Sequence, residues 1–103
     1  MGYRSQVAFV VEFKTTQDRD AMWMLYANSD NEGKQNIAQA MEHRYAEPLV
    51  TYEQCDIKWY EGYAFVDAAH EFMREANEMF AAAYRFVRIG EESDDTEVTY
   101  SDG

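Results

Sequence analysis

Apolar and polar residues alternate from Ser5 to Lys14. Val7, Phe9, Val11 and Phe13 share one face, and Ala8, Val10 and Glu12 share the other. This predicts a strand, and the half-apolar second face predicts a central one, with one face on helices and the other partly covered. The period then lengthens. Thr15 and Thr16 offer an N-cap, and Thr15 with Asp18 has capping-box spacing. A helix is expected over 17–28, with Ala21, Met22, Leu25 and Tyr26 as its buried stripe. Turn chemistry from Asn28 to Gly33 breaks it. A second helical pattern runs over 34–46, with Ile37, Ala38, Met41 and Tyr45 on one side, and Pro48 stops it.

Residues 49–60 are extended, yet neither face is apolar throughout. A bulge or turn near Glu53 to Asp56 brings Val50, Tyr52, Ile57 and Trp59 inward together, as one bent strand or as a tight hairpin. The clearest helix follows over 65–83. Phe65, Ala69, Phe72, Ala76, Met79, Phe80 and Ala83 recur at spacings of three and four, and Asp67, Glu71, Arg74, Glu75 and Glu78 fall mostly opposite. A short strand over 84–90 has Tyr84 and Phe86 facing in and Arg85 and Arg88 pointing out or to an edge. The order β-α-α-β-α-β predicts an α+β two-layer sandwich: a small, mainly antiparallel sheet of three to four strands with helices on one face. A ferredoxin-like split β-α-β arrangement is the nearest motif, although 49–60 supplies its hairpin awkwardly. One domain over 1–90 and an acidic C-terminal tail over 91–103 are expected. Within the tail, Glu97 to Tyr100 has the pattern of a short edge strand, but its composition reads as mobile.

Charge changes this picture. Twenty acids against nine bases give −11; residues 1–90 carry −5, and residues 91–103 carry −6 with no base. Such a field repels nucleic-acid backbones and anionic membrane surfaces and attracts basic protein surfaces. No apolar run is long enough for a transmembrane helix, and the N-terminus lacks a signal-peptide pattern. The single cysteine, Cys55, suits a reducing cytoplasm.

Candidate chemistry is sparse. Asp67, His70 and Glu71 share one helix face at metal-ligand spacing, but no second cluster completes a site, so an ion-paired patch is the expectation and no metal or cofactor is assigned. His43 reads as a cap that meets the negative end of a helix, and Cys55 as a half-buried strand thiol. There is no phosphate loop, nucleophile elbow or Cys-x-x-Cys, which argues against an enzyme. The densest aromatic patch is Lys58-Trp-Tyr-Glu-Gly-Tyr63. It is either a packed elbow or a contact surface carried by Trp59, Tyr60 and Tyr63.

The opening Met-Gly-Tyr-Arg-Ser-Gln-Val, the elbow Lys58–Tyr63 and the closing Tyr84-Arg-Phe-Val-Arg-Ile-Gly-Glu-Glu-Ser-Asp-Asp-Thr-Glu97 together resemble a loose group of small acidic bacteriophage proteins. The resemblance covers about a quarter of the chain. It brings no functional residues with it and implies a viral protein working inside a bacterial cell. The resulting expectation is an interaction protein. It would bind a host protein with a basic surface, one that handles nucleic acid or serves antiviral defence, and inhibit it by mimicking nucleic acid. Asp67, Glu71, Glu75, Glu78, Glu91, Glu92, Asp94, Asp95 and Glu97 would stand in for phosphates, and Trp59, Tyr60 and Tyr63 would anchor the contact. The alternative is a self-associating accessory module, a homodimer through the elbow or a sheet edge, whose charge serves only solubility.

Overall fold

The computed structural model describes residues 4–43, 46–60, 62–92 and 94–102. Among them the elements run β1 (Ser5–Glu12), α1 (Thr16–Ala27), α2 (Glu32–Ala40), β2 (Glu42–His43), β3 (Leu49–Ile57), α3 (Ala64–Phe80), β4 (Ala83–Gly90) and β5 (Thr96–Ser101). The fold is α+β, with the strands in one antiparallel sheet of order β2-β3-β1-β4-β5. Strand β3 lies between β1 and β2, and β1 lies between β3 and β4. This is the split β-α-β order with a fifth strand added at one edge.

The period-two pattern decides which face is covered. Val7, Phe9 and Val11 of β1, Val50 and Tyr52 of β3, and Phe86 of β4 form the sheet side of the core. Met22 and Tyr26 of α1, Ile37 and Ala38 of α2, and Val66, Ala69, Phe72 and Ala76 of α3 meet them. Phe72 is wholly buried, which contributes about 2–3 kcal/mol. Phe65 and Phe80 only flank the core. The opposite face of the sheet, where Ala8, Val10, Thr51, Glu53, Arg85 and Val87 sit, carries a shallow groove of about 520 Å³.

Several elements differ from the sequence reading. Helix α2 ends at Ala40 rather than Ala46, because Met41 adopts extended backbone (φ −77°, ψ 142°) while still burying its side chain. The chain then enters β2, where Glu42 pairs with Thr51 and His43 with Val50. Residue 45, read as part of the α2 stripe, lies outside the described residues. The missing hairpin of the split motif is therefore β2–β3, drawn from residues read as helix. His43 is not a helix cap; its ring stands edge-on to Trp23, 5.4 Å between centroids. Helix α1 is rotated from its expected stripe: Arg19, Met22 and Tyr26 are buried, and Leu25 is 53% exposed. The buried Arg19 guanidinium binds Asp20 at 2.9 Å and the Glu47 carbonyl, tying α1 to the loop before β3.

Residues 49–57 form one bent strand. Ser5 pairs with Ile57 but Val7 with Gln54, so β3 holds one extra residue at this point, and Asp56 takes a left-handed φ of 58°. This bulge leaves Val50, Tyr52 and Trp59 buried and Ile57 packed against the core. It also leaves Cys55 exposed rather than half-buried. Residues 96–101, read as part of a mobile tail, are ordered as β5 and pair with β4 through six consecutive positions, from Ile89↔Thr96 to Tyr84↔Ser101. The sheet thus has five strands rather than three or four and continues past residue 90. No helix among the described residues is long and apolar enough to cross a membrane.

Candidate functional site

The antiparallel order gathers several chain segments at one end of the sheet. Ser5 pairs with both Ile57 and Gly90, and Ile89 pairs with Thr96. The start of β1, the ends of β3 and β4 and the start of β5 therefore lie together. The elbow leaves β3 from this end, and the acidic turn 91–95 closes it. Sequence-distant candidates thus lie toward the same end of the sheet: Tyr60, Tyr63 and Asp67, which follow β3, and Glu91, Glu92 and Asp94, which follow β4.

Arg88 organises the acidic turn. Its guanidinium meets Asp95 at 2.9 Å and Glu97 at 3.2 Å, and donates to the Ser5 hydroxyl at 3.2 Å. The hydrogen bond to Asp95 is the main reason its pKa rises still further, so it is a fixed cation. The sequence reading had Arg88 pointing out or to an edge. Instead it lies opposite Val7 on the covered side and draws both carboxylates onto itself. Asp95 and Glu97 are consequently local partners rather than free negative charges. Glu91 accepts the Arg4 backbone N–H at 3.0 Å, while the Arg4 guanidinium donates to the Asp56 carbonyl at 3.0 Å. Glu91, Glu92 and Asp94 all face solvent.

The elbow divides. Trp59 is 8% exposed and is a core residue, with ring centroids 5.9–6.2 Å from those of Tyr52, Phe65, His70 and Phe86. The bulge in β3 turns it inward, so it does not offer a contact surface. Its indole N–H has no hydrogen-bond partner among the described residues. Tyr63 is 49% exposed, and its ring stands at 90° to that of the half-buried Tyr60, 5.5 Å away. The tyrosines are the part of the elbow that a partner can reach.

The acids of α3 also divide. Asp67 accepts the Gly62 N–H at 3.2 Å, closing the turn that starts the helix. Glu71 faces Lys34 at 3.7 Å and Arg74 at 3.8 Å, and Glu78 binds Arg74 at 2.6 Å. Glu75 accepts the Tyr26 hydroxyl. Burial, followed by that bond to Glu75, raises the Tyr26 pKa far above the usual phenol range. Helix α3 therefore turns Glu71 and Glu75 toward α1 and α2, and they do not belong to an outward acidic stripe. The sequence missed this because the charge pattern alone does not tell a solvated face from one that meets neighbouring helices. Lys34 is also seated 5.0 Å over the Tyr26 ring. The His70 ring meets Trp59 and Phe86 edge-on. Among the described residues no group of three His, Cys, Asp or Glu converges on a metal-sized site.

What remains is an acidic rim at one end of the sheet, with two tyrosines at the same end. Compared with protein-family models, with curated proteins and with solved structures, the chain finds no match.

Proposed function

We propose that this protein acts by recognition, as a small acidic protein of bacteriophage type working inside a bacterial cell. It binds a host protein with a basic surface, one that handles nucleic acid or serves antiviral defence, and inhibits it by occupying that surface. The observation that supports this is the rim at the Gly90 end of the sheet. Exposed Glu91, Glu92 and Asp94 lie at the same end of the sheet as Asp67 and the reachable Tyr63, while Arg4 and Arg88 are engaged by Asp56, Asp95 and Glu97. Negative potential attracts a basic partner, and a half-exposed tyrosine gives it an apolar anchor. Glu71, Glu75 and Trp59 leave the contact set, because their partners lie inside the fold.

The test is capture of partners from a bacterial lysate by tagged protein, compared with a Glu91→Gln, Glu92→Gln, Asp94→Asn variant. Surface attraction of this kind is screened over roughly 8–10 Å at physiological salt. The captured proteins should fall away as salt rises, and association of the variant should slow several-fold. Equal capture by both proteins at low and high salt overturns the reading.

A further inference from the structure

The two edges of the sheet are treated differently. One edge ends in β2, only two residues long, and the exposed part of β3 beside it carries the bulge at Asp56. Short edge strands and bulges both discourage a foreign strand from pairing. The other edge is β5. It runs six residues, Thr-Glu-Val-Thr-Tyr-Ser, in unbroken register with β4, and it holds no proline, lysine or arginine. Its single charge, Glu97, is held by Arg88 of the neighbouring strand. Val98 and Tyr100 are 58% and 65% exposed. Nothing among the described residues covers its outer side.

We propose that β5 is the pairing edge of a homodimer, in which two copies join antiparallel about a two-fold axis at Thr99. The strand's own sequence selects this occupant. A two-fold axis perpendicular to the sheet keeps both uncovered faces on the same side only when it passes beside a residue, which leaves few registers. An axis at Glu97 opposes that carboxylate to itself. An axis at Val98 opposes Asp94 to Asp102. At Thr99, Val98 meets Tyr100 of the other copy, Glu97 meets Ser101, and Thr99 meets Thr99. Aromatic with β-branched and threonine with threonine are favourable cross-strand pairs, and no carboxylate opposes another. The two five-stranded sheets then form one continuous ten-stranded sheet. Pairing consumes both open edges, so the assembly closes as a dimer rather than a fibre. A six-residue edge is small for an interface, so the dimer belongs to the weak, concentration-dependent class.

Salt separates this association from binding to a basic partner. Two copies each carrying −11 repel one another, so added salt strengthens the dimer, whereas it weakens a contact between opposite charges. Sedimentation of the purified chain should shift from one chain mass to two as concentration rises, at lower concentration when salt is added. Thr99→Lys opposes lysine to lysine across the axis while reducing the overall charge of each copy, and it should hold the protein monomeric. Asn36→Lys, at an exposed position of α2, makes the same single-charge change away from the edge and should leave the dimer intact. Circular dichroism of Thr99→Lys establishes that it is folded. In parallel, outward-facing amides of residues 97–101 should gain hydrogen-exchange protection with wild-type concentration. A chain that stays monomeric at every concentration and salt overturns the proposal. So does a dimer that survives Thr99→Lys, or amides whose protection ignores concentration.

Discussion

At the scale of single residues, three positions carry more than their neighbours. Gly33 lies where α2 crosses the start of α3, and a Cβ there would stand 2.9 Å from the Ala64 Cβ and closer still to the Ala64 carbonyl. Gly33→Ala gains about 1 kcal/mol of helix propensity but forces backbone apart, a cost of about 1–3 kcal/mol. The expected outcome is a thermal midpoint lower by several degrees in a melting experiment. Ala81, which ends α3, holds a left-handed backbone (φ 54°, ψ 34°) that glycine adopts without strain. Ala81→Gly should therefore stabilise by about 0.5–1 kcal/mol, read as a higher urea midpoint with an unchanged slope. Tyr26 is the third. Its folded-state pKa is raised by burial and by Glu75, so its contribution is complete below the unfolded value of about 10. It is lost as pH rises beyond that, because the unfolded phenol ionises while the folded one holds its proton. Urea melts between pH 8 and 11 should show wild type losing stability above pH 10 more steeply than Tyr26→Phe. Burial raises the Tyr52 pKa in the same direction, so some alkaline loss persists in the variant.

At the scale of elements, the strongest repeats were legible and their ends were not. The helix containing Phe65, Phe72 and Ala76 was read nearly in full, because an amphipathic pattern that long has one sensible burial. Its last turn was over-extended because Ala81 carries no sequence mark of a left-handed cap. The end of α2 was misplaced because Met41 suits the core in helical or extended backbone alike, and the two-residue β2 is too short to have a period. The bulge in β3 was legible because no straight strand could bury Val50, Tyr52 and Trp59 together. The order of 96–101 was underestimated because acids dominate the 91–103 segment that contains it, yet Arg88 engages two of them, Asp95 and Glu97. Arg88→Ala should thus leave Asp95 and Glu97 facing each other without a cation and loosen the β4–β5 turn. Faster amide exchange in residues 94–99, with α3 unchanged, is the expected result. The far end of β5 is held separately, by the Asn77 amide bridging the Ala82 carbonyl at 2.9 Å and the Ser101 hydroxyl at 3.0 Å.

At the scale of the whole molecule, the negative charge divides into two populations. Glu71, Glu75, Glu78, Asp95 and Glu97 serve the fold through Lys34, Tyr26, Arg74 and Arg88. Glu91, Glu92 and Asp94 remain on the outside, at the end where the tyrosines are reachable. Neutralising these three should raise or leave unchanged the thermal midpoint, because removing like charges at one end relieves repulsion. A marked fall in midpoint would instead place them among the structural acids. The central position of β1 has a further consequence, for the path of folding. Its two neighbours lie far along the chain, β3 beginning at Leu49 and β4 at Ala83. An apolar strand therefore waits half-satisfied until distant segments arrive, and closing those long loops slows folding.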